Sequence, residues 1–336
     1  MNIVSGPILI VDDEAQNLAL LQQVLQADYP LVFAKTGQQA MEAVQKHRPS
    51  LILLDIQLPD ISGFEVCFRL KSDDATAQIP IIFVTGQIDT ADEVMGLKNG
   101  GADYIHKPIV PEIVKIRVDN QIRLLKTSSL ERSYSDAISM LSEAGHYNDT
   151  DTGFHVWRMS AYAKAIAEAV GWSPYQCDMI EKAAPLHDTG KIGVPDRVLK
   201  KPAALTDEEW NQMKAHPEIG YSILSRSHAP VFKMAAEIAR YHHEKWDGSG
   251  YPFGLKGEDI PMSARIVALA DVYDALTSRR PYKEPWSEED ALAFIDEQRG
   301  KQFDPELVEL FNQIILKIRR IQAEFAAKDD SDLLSL

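Results

Sequence analysis

Histidine and aspartate side chains with the chemistry of metal ligands are concentrated in the second half of the chain. Seven of the nine histidines lie between His146 and His243, and His187-Asp188 and His242-His243 are adjacent pairs. A single histidine in a helical region more often packs or faces solvent, but two such pairs favour a metal site. The candidate ligands are His155, His187, Asp188, His216, His242, His243 and Asp271. These ligands suit Fe, Mn, Ni or Zn, and seven of them favour two ions sharing a carboxylate, an arrangement that serves phosphodiester hydrolysis.

A second group of reactive side chains follows apolar runs in the first half. Asp12-Asp13, Asp55 and Thr85 each end such a run, and Lys107-Pro108 follows the last one. Carboxylates that converge at strand ends repel one another unless a cation lies among them, and Mg²⁺ prefers oxygen ligands. A carboxylate beside Mg²⁺ can accept a phosphoryl group, with a lysine and a hydroxyl offsetting the new charge.

Five apolar runs that must position these carboxylates alternate with helical patterns over roughly residues 1–125. They are Ile8–Val11, Leu31–Ala34, Leu51–Leu54, Ile81–Val84 and Tyr104–Ile105. Each is short and apolar on both faces, as buried parallel strands are. We therefore predict a doubly wound α/β domain of the flavodoxin-like type, with a five-stranded parallel sheet.

From about residue 127 the patterns are helical, which predicts an all-α second half. The predicted helices are Arg158–Val170, Asp207–Arg226, Pro230–His243, Ser263–Thr277 and Pro305–Phe325. Between the halves, Leu130, Tyr134, Ala137, Leu141 and Ala144 form a heptad-like stripe. Two interpretations stay open: a helix that packs on its own domain, or a short stalk that forms a homodimer.

Composition excludes several classes of protein. The 336 residues carry a net charge of −15, a poor match for nucleic-acid phosphates, so we expect no DNA binding. Cys67 and Cys177 are far apart and form no metal-binding spacing, which fits a reducing cytoplasmic compartment. No apolar run reaches the ~20 residues of a membrane span, and the first residues have no signal-peptide pattern.

The first half resembles the receiver domain of two-component response regulators. The segments IVDDE, LLDIQLPDISGFE, FVTG and GADYIHKP carry this resemblance. It implies that Asp55 is the phosphoacceptor and that Asp12 and Asp13 bind Mg²⁺ with it. It also implies that Thr85 and Lys107 contact the phosphoryl group, that Tyr104 is a rotating switch, and that a histidine kinase is the donor.

The second half resembles the HD-GYP family of metal-dependent phosphohydrolases. HDTGK carries the HD signature, and HHEKWDGSGYP and ARIVALADVYDALTSRRPYK narrow it to HD-GYP. The resemblance implies hydrolysis of cyclic di-GMP to pGpG, GMP or both, at two divalent metal ions, Fe or Mn first and Ni or Zn as alternatives. It makes the seven candidates above the metal ligands, with Asp188 bridging. Lys191 is placed near the scissile phosphate, and the residues implied for substrate binding are Arg280, Lys283, Gly250, Tyr251 and Pro252.

Other positions allow two interpretations. Asp151 lies four residues before His155, where relatives with a third metal have glutamate, so either two or three ions fit. Trp157, Trp172, Trp210 and Trp286 are interpreted as packing residues rather than a base-stacking platform. Glu244 and Asp247 are either partners that orient imidazoles or loop acids, and Asp274 is placed to cap or orient Asp271.

The sequence predicts a receiver domain at 1–125, a linker helix at 126–146, the phosphohydrolase domain at 147–325 and a flexible tail at 326–336. Phosphorylation of Asp55 is expected to control hydrolysis through the linker helix. The alternatives are a weakly catalytic cyclic-dinucleotide sensor, a module that binds proteins such as diguanylate cyclases, and a hydrolase of another cyclic dinucleotide. The sequence leaves open the native metal, the sign of the control, the kinase and the choice between guanine and adenine.

Overall fold

A computed structural model of the chain describes residues 6–86, 96, 98, 100–146, 153–278 and 284–333. The chain divides into two units, Met1–Ser133 and Tyr134–Leu336. The predicted linker is part of one helix, Pro111–His146, that begins in the first unit and ends in the second.

The first unit contains a parallel sheet of five strands in the order β2-β1-β3-β4-β5. The strands are β1 Ile8–Val11, β2 Leu31–Ala34, β3 Leu51–Asp55, β4 Ile81–Thr85 and β5 Asp103–His106. The helices described in this unit before the long helix are Ala15–Leu25, Gly37–His47 and Gly63–Lys71. This confirms the predicted α/β fold.

Burial on both faces explains why β1 is apolar at every position and why β3 and β4 are apolar up to their last residue. Alternate side chains of a strand point to opposite faces, so Ile8 and Ile10 enter one core while Leu9 and Val11 enter another. The carboxyl ends of β1, β3 and β4 consequently bring Asp12, Asp55 and Thr85 to one edge, which is where ligands bind in such sheets.

Every regular element that the structure describes within 153–333 is helical, which confirms the predicted all-α half. The α-helices are Gly153–Val170, Pro174–Ala183, Asp196–Leu199, Asp207–Met213, His216–Leu224, Pro230–Tyr241, Met262–Thr277, Glu288–Glu297, Pro305–Gln313 and Ile315–Leu333. Short 3₁₀ turns lie at Ala184–Leu186, Thr189–Gly193 and Gly257–Asp259. Their apolar faces form one core around buried side chains such as Tyr162, Ile238 and Tyr273.

Two helices predicted as continuous are broken. The predicted helix at 207–226 stops at Met213 and restarts at His216. Pro217 has no N–H and its ring clashes with the preceding turn, so it is tolerated only at a helix start. The break places His216 at the first position of the second helix. The predicted helix at 305–325 also divides, after Gln313.

The heptad-like stripe on the long helix has two environments. Tyr134 and Leu141 pack against the core of the second unit, as the first interpretation expects. Leu130 is 57% exposed, and Ala137 and Ala144 are exposed as well. No helix in the described part of the chain is long and apolar enough to cross a membrane.

Candidate functional site

Three carboxylates converge at the carboxyl edge of the sheet. Asp12, Asp13 and Asp55 each offer an oxygen within 4.8 Å of the other two. Lys107 Nζ lies 3.0 Å from Asp12 Oδ2 and 2.6 Å from Asp55 Oδ2. Burial raises the pKa of Asp55, although the Lys107 ammonium opposes the shift. The edge therefore holds more negative charge than one lysine balances, which fits a cation among these oxygens.

Asn17 belongs to this edge and was missed by the sequence reasoning. Its Nδ2 donates hydrogen bonds of 3.0 Å to both Asp12 oxygens. The only signal was its place in the first turn of the helix that follows Asp12-Asp13. Thr85 is buried at the end of β4, and the buried Tyr104 ring stacks on Phe83 at 5.2 Å between centroids.

A second cluster lies in the helical unit around Asp188. Asp188, His216, His242 and His243 each offer a ligand atom within 4.8 Å of the others. Asp188 Oδ1 lies 3.3 Å from His216 Nε2 and 3.6 Å from His242 Nε2, and Asp188 Oδ2 lies 3.1 Å from His187 Nε2. His155 Nε2 lies 3.4 Å from Asp271 Oδ1. Most of the predicted ligands are thus gathered in one buried group.

Backbone carbonyls fix the protonation of three of these imidazoles. His187 Nδ1 lies 3.0 Å from the Ala184 carbonyl oxygen. His216 Nδ1 lies 2.7 Å from that of Met213, and His242 Nδ1 lies 3.0 Å from that of Ala239. A carbonyl only accepts, so Nδ1 carries the proton and the Nε2 lone pair faces Asp188. In the part of the chain that the structure describes, no group forms a hydrogen bond with the buried Nε2 atoms of His216 and His242. This donor set fits a metal cation, the group that such lone pairs bind.

The electrostatics of the cluster favour neutral imidazoles at His216 and His243 beside a charged Asp188 carboxylate, whereas Asp188 raises the pKa of His187 against the effect of burial. Burial lowers the pKa of His216 to about 4 and holds the pKa of His243 well below its usual value. Burial alone would raise the pKa of Asp188, but Lys191 and His187 hold it well below its usual range. Lys191 Nζ lies 2.7 Å from Asp188 Oδ2, so its ammonium is held at the cluster.

A close backbone approach brings the HDTGK segment against His216. A Cβ atom on Gly190 would lie 1.9 Å from the His216 carbonyl oxygen and 2.5 Å from the Gly220 nitrogen. Only glycine permits this contact, which sets the position of Asp188 relative to the helix that begins at His216.

Asp274 contacts a different ligand from the one expected. Its carboxylate is fully buried and lies 2.5 Å from His155 Nδ1, while Arg158 donates to both of its oxygens at 2.5 and 2.8 Å. Asp274 therefore orients the His155 imidazole, and not the Asp271 carboxylate as expected. Burial opposes the charged imidazole, but hydrogen bonds to Asp271 and Asp274 raise the pKa of His155 to about 10. Arg158 was not identified from the sequence.

The segment from Gly250 to Leu255 borders the cluster. The Tyr251 ring stacks on His243, with centroids 4.7 Å apart. The buried Glu244 carboxylate accepts hydrogen bonds from Phe253 N at 2.8 Å and Leu255 N at 3.0 Å. Glu244 thus fixes the loop backbone rather than an imidazole. Gly250 packs so closely that a Cβ would lie 2.3 Å from Lys245 N.

The remaining predicted contacts have mixed outcomes. Asp247 is an exposed loop acid that accepts from Ser249 N at 2.8 Å. Pro252 follows Tyr251 in the loop fixed by Glu244. Arg280, Lys283 and Asp151 lie outside the described residues, so their predicted roles stay predictions.

Two protein families match this chain. The HD domain family matches residues 128–307, and the response regulator receiver domain family matches residues 8–119. A probable cyclic di-GMP phosphodiesterase of Vibrio cholerae is 39% identical over 337 residues, covering 90% of this chain and 76% of the relative. The cyclic di-GMP phosphodiesterase response regulator RpfG of Xanthomonas campestris is 38% identical over 341 residues, covering 95% of this chain and 90% of the relative. A 3'3'-cGAMP-specific phosphodiesterase 2 of Vibrio cholerae is 45% identical over 181 residues, covering 54% of this chain and 35% of the relative.

Proposed function

The chain belongs to the family of response regulators that join a receiver domain to an HD domain, and from this premise we propose that it hydrolyses cyclic di-GMP under the control of its receiver. The family matches show a receiver domain over residues 8–119 and an HD domain over residues 128–307. Relatives that align with at least 90% of this chain are named as cyclic di-GMP phosphodiesterases. The observation that carries the proposal is the Asp188 carboxylate, held among the imidazoles of His216, His242 and His243.

The cluster is proposed to hold two divalent transition-metal ions, with Asp188 shared between them. The proposed ligands are the seven residues predicted above, joined by Asp151 if a third ion is bound. Histidine and carboxylate ligands without cysteine favour Fe or Mn, with Ni and Zn as alternatives. When bound, such ions supply Lewis acidity and lower the pKa of water.

The chain's own side chains would then position the substrate for hydrolysis. Lys191 Nζ, at 2.7 Å from Asp188 Oδ2, would offset the negative charge that develops on the phosphate and the departing 3′ oxygen. The stacking of Tyr251 on His243 supports a substrate-binding role for Gly250, Tyr251 and Pro252 beside the cluster. Arg280 and Lys283 are proposed to bind the substrate's phosphates or bases. The products are pGpG, GMP or both.

In the receiver, Asp55 is proposed to accept a phosphoryl group from a histidine kinase, with Mg²⁺ bound by Asp12, Asp13 and Asp55. The proximity of three carboxylates and Lys107 supports this proposal. Thr85 would contact the phosphoryl group and Tyr104 would respond to it. The exposed part of the stripe, around Leu130, is where a homodimer would form.

Hydrolysis of a hybrid cyclic dinucleotide is a second candidate function. It is favoured by the 45% identity to a 3'3'-cGAMP-specific phosphodiesterase across the helical half. Supplying each dinucleotide separately distinguishes the two candidates.

An anaerobic turnover assay tests the proposed function. The full chain is loaded with Mn(II) or Fe(II) and given cyclic di-GMP, and the products are separated by chromatography. We expect pGpG or GMP from the wild type and from His228→Ala, because His228 is an exposed histidine outside the cluster. Asp188→Ala should lose both the metal and the activity, and near-normal turnover in that variant would overturn the assignment.

Control by the receiver needs a separate arm of the assay. A small phosphodonor such as acetyl phosphate is added with Mg²⁺ to the wild type and to Asp55→Ala. We expect turnover to change in the wild type only. An equal response of both proteins would contradict phosphorylation at Asp55.

A further inference from the structure

A lysine lies beside two aromatic rings next to the Asp188 cluster. We call Trp210, Lys214 and Tyr251 the aromatic corner. The Trp210 and Tyr251 rings meet edge to face with centroids 6.3 Å apart. Lys214 Nζ lies 5.6 Å from the centroid of the Trp210 ring and 5.7 Å from that of Tyr251. The corner therefore joins two π surfaces to one positive charge.

The aromatic corner is continuous with the candidate metal centre. Tyr251 stacks on His243, whose ring lies in the cluster with Asp188. Lys214 lies two residues before His216, at the helix break that places His216 in the cluster. A ligand whose phosphate reaches Lys191 would thus have its attached groups beside the corner.

Trp210 and Lys214 are available to a ligand. Trp210 is 42% exposed, so a ligand can reach part of its ring. No residue in the described ranges forms an ion pair with Lys214 or accepts a hydrogen bond from it, whereas Lys191 is bound to Asp188. An ammonium without an anionic partner, in a chain of net charge −15, is a donor that a ligand can use.

A guanine base has the chemistry that these three side chains recognise. Purines stack on aromatic rings. On its outer edge guanine presents two acceptors, O6 and N7, to which lysine donates, whereas adenine presents one acceptor and an amino group that faces the ammonium unfavourably. A base bound there would be held by stacking and selected by the ammonium.

We propose that Trp210 and Lys214 form the guanine-recognition site of this phosphodiesterase, with Trp210 stacking on the base and Lys214 donating to its O6 and N7 atoms. This inference rests on the proposed function and adds to it the choice of guanine over adenine. Trp210 and Lys214 are specificity residues and take no part in the bond-breaking step.

Selectivity among three dinucleotides tests the proposal. Cyclic di-GMP, 3'3'-cGAMP and cyclic di-AMP are each given to the Mn(II)-loaded full chain as wild type, Lys214→Met and Trp210→Ala. Lys214→Met keeps the aliphatic stem and removes the donor. We expect its kcat/KM for cyclic di-GMP to fall about tenfold or more through KM, with cyclic di-AMP little changed. Trp210→Ala should raise KM for all three by roughly 5- to 100-fold, because stacking accepts any base.

Matched controls separate recognition from folding. Lys182→Met removes another exposed lysine of the same unit, and Trp286→Ala removes another exposed tryptophan. Both should leave selectivity unchanged. Manganese content and melting temperature are measured for every variant. Calorimetric binding of cyclic di-GMP and cyclic di-AMP to the wild type and Lys214→Met provides a readout independent of turnover.

The outcomes separate the inference from the proposed function. If the wild type hydrolyses none of the three dinucleotides, the proposed function is overturned. The calorimetric affinities of the wild type and Lys214→Met for cyclic di-GMP and cyclic di-AMP then decide whether Lys214 recognises guanine. If the ratio of kcat/KM for cyclic di-GMP to kcat/KM for cyclic di-AMP is the same in Lys214→Met as in the wild type, guanine recognition by Lys214 is overturned. An equal fall in kcat/KM of Lys214→Met for all three dinucleotides overturns it too, because Lys214 would then attract the phosphates that all three share and not the guanine base.

Discussion

Replacement of Asp274 by asparagine tests the buried contact that orients His155. The Asp274 carboxylate is 0% exposed, lies 2.5 Å from His155 Nδ1 and accepts two hydrogen bonds from Arg158. Asparagine has nearly the same shape but no charge. The amide oxygen of asparagine can still accept a hydrogen bond from Arg158. Its amide nitrogen is a donor and would face a second donor, on Arg158 or His155, where the carboxylate had an acceptor. The substitution therefore changes charge and hydrogen bonding at an almost constant volume.

The expected loss of stability follows from the burial of Arg158, whose side chain is 10% exposed. Removing one partner of a buried ion pair costs ~3–5 kcal/mol, and the remaining hydrogen bond places this case near ~3 kcal/mol. The helical unit has about 200 residues. Unfolding entropies of ~2.1 cal/mol/K per residue then convert the loss into a melting temperature lower by about 7 °C.

The same substitution should weaken metal binding. An amide N–H facing His155 Nδ1 favours the tautomer with its proton on Nε2, the atom that lies 3.4 Å from Asp271. Loss of such an orienting partner typically lowers metal affinity by about 10- to 100-fold. We expect this in titrations of the metal-free full chain with Mn²⁺.

Scanning calorimetry and the Mn²⁺ titration are run beside a control, Asp178→Asn. The Asp178 side chain is 58% exposed and pairs with Lys164 at 2.7 Å. An exposed pair contributes ~0–1 kcal/mol, so the control should melt within about 2–3 °C of the wild type. If Asp274→Asn matches this control in both melting temperature and Mn²⁺ affinity, the role assigned to Asp274 is refuted.

Three further substitutions test other contacts. Gly190→Ala would place a Cβ 1.9 Å from the His216 carbonyl oxygen, so we expect Mn²⁺ affinity to fall at least about tenfold; wild-type affinity in a titration would contradict this. Glu244→Gln weakens two hydrogen bonds to the loop after Gly250, and we expect KM for cyclic di-GMP to rise about tenfold with a smaller change in kcat; an unchanged KM would count against the loop's role. Lys107→Met removes the cation beside Asp55, so the receiver should lose about 1–3 kcal/mol in denaturant unfolding, partly restored by Mg²⁺. The exposed Lys115→Met is its control, and equal losses in both variants would refute the argument.

The sheet could be predicted from the sequence because its signal is local. A parallel strand buried on both faces is a continuous apolar run, and the bounds of β1 and β2 agree with the prediction at both ends. Helix continuity was harder to predict. The apolar spacing continues across Lys214 and Ala215, and only Pro217 indicated that the backbone would break there.

The parts of the site that were missed depend on contacts between distant positions. The adjacent pair His187-Asp188 is recognisable because its residues are neighbours. Arg158 and Asp274, by contrast, are 116 positions apart. Nothing in the local pattern around Asp274 shows that it faces His155 rather than Asp271, because that choice is made by the packing of two helices.

Four histidines of the cluster are oriented by two different kinds of acceptor, and helix polarity explains the difference. His187, His216 and His242 each direct Nδ1 at the carbonyl of the residue three positions earlier, where a helical turn ends. The last carbonyls of a helix lack the partner of a regular α-helical turn, so they can accept from an imidazole; the Ala184 carbonyl accepts from the backbone N–H of His187 as well. His155 lies in the first turn of Gly153–Val170, where the unsatisfied backbone groups are N–H donors. An imidazole N–H there needs a side-chain acceptor, and Asp274 provides one. Asp274→Asn should therefore disturb His155 and leave the tautomers of the other three unchanged, a difference that NMR of ¹⁵N-labelled histidines can detect.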